Sequence, residues 1–456
     1  MTRAHWTLPL TLILLAPACK EPDPSIDTTT DDSTSAADTT AGSATTEGTT
    51  DTPTTNTPTS DPPTTDTTDT PTTNPTGATT GDPTGDPTGD PTGDTTGDPT
   101  GDPCDALQIS PIDEGACEAL ASDYQPRVNM SKDDTWAACV VDPGVYKQVD
   151  AKVPGSVARV VQYEMIADLL WRNGTPTKED FTAARDAYIT PEGIESRVVR
   201  RDDLHYPDIP MNEWDPQVAS DKQCTVEALW MKYPDRCIGP STLRPLIDDA
   251  FIAGQTGDGD ADVHAARIRA GLDWFMILSI YKEGNTCATV KAADCDSTWA
   301  YYTGGQTIDA GIGIAGTLRL ASKNTHERIH DGILAMRCWR DLNQVGGMYP
   351  LLGDVDAKGQ ALFAQGWEQL DQALHRGFAV LVREQLVAYI NATCDNTQLP
   401  GVWAYLQVTG PALQREADER DAATAAALKT LWASADPSVP ELEAGLLALD
   451  AIFPCP

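Results

Sequence analysis

Between Glu21 and Pro103 the chain holds almost no large apolar side chain and consists mainly of Thr, Asp, Pro, Gly and Ser. Such a stretch cannot bury enough surface to offset the entropy of ordering it. It is expected to stay disordered, which leaves residues 104–456 to supply every folded element. The last part repeats Thr-Gly-Asp-Pro from Thr80 onward, with the variant Thr92-Gly93-Asp94-Thr95. Repeated aspartates invite calcium, yet nothing fixes a turn around them, and a charged spacer is the simpler reading. As a flexible coil the spacer reaches on the order of 50 Å, and several times that when stretched.

The start of the chain reads as an address. Met1-Thr2-Arg3 precedes an apolar run from Leu8 to Ala16 and then Pro17-Ala18-Cys19, the charged, apolar and small-residue regions of a secretory signal. A run this short cannot cross a bilayer of roughly 30 Å, which takes a helix of about 20 residues. Leu15-Ala16-Pro17-Ala18-Cys19 resembles the bacterial lipobox, with the leucine one place further from the cysteine than usual. That resemblance implies removal of residues 1–18, lipidation of Cys19 and a membrane partner reached through the lipid. A plain signal-peptidase cut after Ala18 is the alternative. Lys20 is not the aspartate that retains many lipoproteins in the inner membrane, so the outer membrane or cell surface is the expected location. The domain plan is thus a signal over 1–18, a linker over 19–103 and a folded domain over 104–456.

Setting Cys19 aside, ten cysteines remain, at 104, 117, 139, 224, 237, 287, 295, 338, 394 and 455. An even number in an exported chain implies up to five disulfides, with connectivity left open by the spacing. Metal ligation by these cysteines is the weaker reading, because no pair has C-x2-C spacing. The net charge of −36, with the 32 basic residues unclustered, would repel nucleic acid and anionic lipid and excludes both as surface partners.

The patterning of 104–456 is helical. Val157–Trp171 forms one helix; Thr177-Lys178-Glu179-Asp180 then places an N-cap hydroxyl three residues before an acid and starts the next, through Tyr188. His264–Lys282 is apolar nearly all round and reads as a central buried helix. In Ala361–Ile390, Phe363, Trp367, Leu370, Leu374, Phe378 and Leu381 recur at steps of four and three, giving one stripe toward a core. Leu413–Ala433 and Pro440–Ile452 follow, and 190–245, rich in Pro, Asp and Arg, reads as an irregular insertion. Period-two patterns are scarce, so the expected class is all-α: a multi-helix bundle stapled by disulfides.

His326-Glu327-Arg328-Ile329-His330 satisfies H-E-x-x-H. On a helix the histidines fall one turn apart on one face and can ligate zinc, while Glu327 polarises the attacking water, which gives a zinc-dependent peptidase as one reading. Arg328 and Arg337 bring cations toward such a metal, and no third histidine follows; Glu368 is a conceivable third ligand. Two histidines packed on an ordinary helix are the structural alternative. Asp258-Gly259-Asp260-Ala261-Asp262 begins like an EF-hand loop, but Val263 replaces its glycine and Arg269 its closing glutamate, which leaves an acidic surface loop.

The segment Asp294-Cys295-Asp296-Ser297-Thr298-Trp299-Ala300-Tyr301-Tyr302-Thr303-Gly304-Gly305 gathers hard oxygen donors suited to ferric iron. It resembles the W-D-E-x-W-A-x-Y-x-G-S segment of the algal iron-assimilation proteins, the low-iron-inducible periplasmic family that includes the phytotransferrins. Asp296, Trp299, Ala300, Tyr302 and Gly304 match; Cys295, Ser297 and Gly305 depart. The order of flanking elements is similar over roughly residues 245–390. The resemblance implies a protein that captures ferric iron with a synergistic anion, with Asp296 and Tyr302 as ligands and Tyr301 beside them. A packing corner of buried rings is the alternative. Three functions follow: a non-enzymatic surface lipoprotein binding ferric iron or another small solute, a zinc peptidase using Glu327, and a structural or adhesion lipoprotein.

Overall fold

The computed structural model describes residues 104, 107, 109–126, 135–395 and 397–455. The signal, Cys19 and the linker lie outside the described residues. All described residues fall in one compact unit, Gly93–Pro456. The unit is all-α: among the described residues no strand forms, and one isolated bridge joins Val345 to Met348. No described helix is long and apolar enough to cross a membrane.

Among the described residues the ten α-helices of eight residues or more build the body: α1 Ser156–Leu170, α2 Lys178–Tyr188, α3 Arg244–Thr256, α4 Ala261–Thr289, α5 Ala293–Thr303, α6 Ile314–Ala321, α7 Lys323–Leu342, α8 Ala357–Cys394, α9 Pro400–Ala433 and α10 Val439–Ile452. The caps follow the sequence. Thr177 and Asp180 close a reciprocal capping box at α2, and Ser438 with Glu441 closes another at α10. Asp260, in the EF-hand-like run, is the N-cap of α4 and accepts from Asp262 N, so this loop starts a helix.

Helix α4 is the axis. From Ala270 through Ile280 every side chain is buried, and the helix packs on α3, α5 and α9. Its one acid there, Asp273, accepts the Tyr163 hydroxyl of α1 at 2.6 Å and the Tyr405 hydroxyl of α9 at 2.9 Å. Burial pushes the Asp273 carboxyl and both phenols up, so the phenols keep their protons and remain donors. Three helices are thereby joined at one buried polar point.

A second pair, α7 and α8, lies side by side. Their approach depends on Gly332, where a Cβ would stand 2.6 Å from the Leu370 Cα. Helix α9 is longer than the sequence pattern indicates: it begins with Pro400 at its first turn, contains Pro411, and breaks at Asp421, whose φ of −154° and ψ of 88° are not helical. Asp421 then caps the second half through Ala423 N and Thr424 N. The halves fold onto each other so closely that Gly410 lies under the Trp432 ring, leaving no room for a Cβ.

The ten cysteines pair as 104–394, 117–455, 139–338, 224–237 and 287–295. Three of the pairs bind the segment ahead of α1 to α7, α8 and the C-terminus. The irregular stretch between α2 and α3 carries a small core of its own, Ile209, Cys224, Leu229 and Cys237.

Two outcomes are expected. Gly332→Ala must push α7 from α8 and should lower unfolding free energy by about 1–3 kcal/mol in denaturant titrations. The Asp180 carboxyl is held below its usual range by the backbone N–H and hydroxyl of Thr177. Its contribution is therefore present above the ordinary carboxyl range and lost as pH falls through the depressed value. Asp180→Asn should melt below the parent at pH 7, and the two melting curves should converge in strong acid.

Candidate metal centre

The residues singled out in the sequence do not converge. Asp296 and Tyr302 stand six positions apart on α5, about 240° around the helix, so they leave it in different directions. The Asp296 carboxylate is filled by protein donors: Tyr146 Oη and Val149 N on Oδ1 at 2.8 Å each, and Asp150 N on Oδ2 at 2.9 Å. It anchors the 146–150 loop, whose Tyr146 ring stacks on Trp299. The Tyr302 hydroxyl is buried and lies 2.8 Å from His326 Nδ1. Burial alone pushes this phenol well up, so it stays protonated and donates. Tyr301 packs edge-on against Phe275, with the Arg201 guanidinium over its ring. One acid caps a loop and two rings fill the core, which is the packing-corner alternative.

The H-E-x-x-H residues are on a helix, α7, as their spacing requires, but they face the core. His326 has both ring nitrogens engaged, Nδ1 with Tyr302 and Nε2 with Ile308 O at 3.1 Å. Burial lowers its pKa, consistent with a neutral ring that donates from Nε2 and accepts at Nδ1. His330 is buried as well, whereas Glu327 turns outward and faces Lys323 at 3.9 Å. Arg328 is buried on Asp123 at 2.8 Å. His326 and His330 are thus both buried on this helix, with Glu327 half-buried beside Lys323.

Metal-ligand chemistry gathers instead where the sequence reading placed none. His205 in the irregular stretch, His375 on α8 and Glu416 on α9 each bring one ligand atom within 4.8 Å of the others, and this is the one such group among the described residues. His205 Nε2 lies 2.9 Å from Glu416 Oε2, and His205 Nδ1 lies 3.0 Å from Asp203 Oδ1, which also accepts the His205 main-chain N–H. An Asp203 carboxylate on one ring nitrogen orients the other, the arrangement usual behind a metal-bound histidine. The ring is further fixed by Tyr281, stacked on it at 5.2 Å, and by His375, edge-on at 5.0 Å. His375 Nδ1 sits 3.0 Å from Asp371 O and 3.9 Å from Glu416 Oε1. Arg420 donates to Glu416 Oε1 at 2.6 Å.

The cluster is rich in charge. Burial works against an imidazolium at His205, but hydrogen bonds and charge from Asp203 and Glu416 outweigh it and push the group up to about 10. Burial likewise opposes a charged Glu416, and His205, His375 and Arg420 nevertheless hold it well below the usual carboxylate range. Each ring nitrogen of His205 thus meets a carboxylate, Nδ1 that of Asp203 and Nε2 that of Glu416. Two imidazoles and one carboxylate suit a first-row divalent ion such as zinc or ferrous iron and leave coordination positions open.

Sequence reasoning had little purchase on this group because its members are 170 and 41 residues apart. The one available signal was His375, a polar residue directly after Leu374 in the apolar stripe of α8, with Asp371 one turn before it. No family model, no curated protein and no solved structure matches the chain.

Tyr302→Phe should cost about 1 kcal/mol of stability, because it removes the donor to the buried His326 Nδ1. Measured by chemical denaturation, the same substitution should leave any metal affinity of the protein unaltered.

Proposed function

We propose that this is an exported metal-binding protein, held at the cell envelope by a lipid on Cys19 and a spacer over 19–103, and that its helical domain takes a divalent transition ion at His205, His375 and Glu416. The observation that carries the reading is the approach of three ligand atoms to within 4.8 Å of one another, with Asp203 behind His205. The pairing of ten cysteines supports an oxidising compartment outside the cytoplasm. The net charge of −36 favours a cationic ligand by raising its local concentration. Binding rather than turnover is the reading: the ligand side chains are only 7–13% exposed, which suits holding an ion more than admitting a large substrate. Ferric iron with a synergistic anion, the expectation from the iron-assimilation resemblance, would need phenolate and carboxylate donors on one cavity. The nitrogen-rich set points to zinc or ferrous iron.

Titration of the metal-free mature protein with zinc chloride tests this. One equivalent should bind, His375→Ala and Glu416→Gln should each weaken it by at least about tenfold, and Asp203→Asn by about tenfold through loss of orientation. The proposal fails if no stoichiometric zinc or ferrous iron binds, or if these substitutions leave affinity unchanged while circular dichroism shows the fold intact.

A further inference from the structure

Between α9, α3, α4 and the irregular stretch lies a cavity of about 590 Å³. Its walls are mainly apolar, from Ile238, Leu246, Val408 and Ala412, with the Tyr206 and Trp274 rings among them. Two polar groups break that surface. Asp203 is only 8% exposed, and its Oδ1 meets both the main-chain N–H and Nδ1 of His205, while no donor among the described residues meets its Oδ2. Trp274 is 9% exposed, and its indole N–H has no acceptor among the described residues. Neither atom is sealed by packing, as the unpartnered indole nitrogens of Trp403 and Trp432 are. Both residues line this one cavity, so it offers a carboxylate oxygen and an N–H inside a largely apolar enclosure.

The charge of the wall decides which ligand fits. Asp203 stands inside, and Asp235 and Asp418 stand exposed at the edge; against these acids the lining sets one cation, Arg415. Arg415 is already answered, for it donates to Glu419 at 2.9 Å and lies 3.9 Å over the Tyr206 ring. An anion would therefore meet carboxylates and no available cation. An ammonium would give Asp203 Oδ2 a charge-assisted hydrogen bond, which gains strength where water is scarce.

We infer that this cavity binds a small organic amine, its ammonium on Asp203 Oδ2, an oxygen of the ligand on the Trp274 N–H, and its apolar body against Tyr206, Ile238 and Leu246. The volume is that of small-molecule sites, and an apolar enclosure with a few placed polar atoms is their usual form. The net charge of −36 also raises the local concentration of any cation. The inference rests on the cavity and not on the metal reading: Asp203 adjoins both, but His205, His375 and Glu416 are not part of the cavity wall.

Isothermal titration of the mature protein in EDTA, which removes any contribution of metal, supplies the test. The probes are phenylethylamine and phenylethanolamine, which adds a hydroxyl; phenylacetate and phenylethanol carry the same ring with a negative charge or with none. Each amine should bind at one equivalent, the hydroxylated one more tightly, and Asp203→Asn should weaken both by at least about tenfold. Trp274→Phe should erase the preference for the hydroxylated amine. Should Asp203→Asn not fold, the exposed pair Asp235→Asn with Asp418→Asn takes its place and should weaken both amines about threefold. Failure of both amines, equal binding of phenylacetate or phenylethanol, or unaltered affinity in the acid variants would overturn the inference. A hydroxyl preference that persists in Trp274→Phe would overturn the role given to the indole.

Discussion

The architecture rests on one buried carboxyl. Helix α4 is enclosed on all sides, and a helix so enclosed can slide or rotate among apolar neighbours with little change in buried area. Asp273 removes that freedom: Tyr163 of α1 and Tyr405 of α9 must both reach it, so register and rotation of three helices are set together. A polar point in an apolar interior is a weak source of net stability and an effective source of specificity, because any other register strands a carboxyl and two hydroxyls without partners.

Arg269, one turn before Asp273 on the same helix, lies over the Tyr405 ring with its Nε 3.6 Å from the Asp273 carboxylate. The histidine cluster arises farther along, where the irregular stretch lays His205 between α8 and α9 with a carboxylate at each ring nitrogen. The residues that look most chemical in the sequence, Asp296, Tyr302 and His326, are the ones whose hydrogen bonds the protein completes by itself.

Helix existence was legible wherever an apolar stripe or a cap stood in the sequence. Thr177 and Asp180 made their capping box as read, and the stripe from Phe363 to Leu381 became the buried face of α8. Boundaries were less so: α9 starts a full three turns before Leu413, because proline at its first turn favours a helix start where proline elsewhere signals a break. The site was hardly legible at all. H-E-x-x-H fixes only that two histidines share a helix face, and which face meets solvent is decided by Leu370 pressing on Gly332, a contact between residues 38 positions apart. His205 and Glu416 meet only after three elements have folded, so no local pattern announces them.

The disulfide map also governs how the domain bears load. The bond from Cys104 to Cys394 fastens the first described residue to the end of the longest helix, and the bond from Cys117 to Cys455 fastens the next segment to the far end of the chain. Tension applied ahead of residue 104 therefore passes by covalent links to the last turn of α8, bypassing the helices between. Peeling of the bundle from its N-terminal side is thereby blocked until one of these covalent links is cut, so the segment ahead of α1 and the two ends of the fold come apart together or not at all.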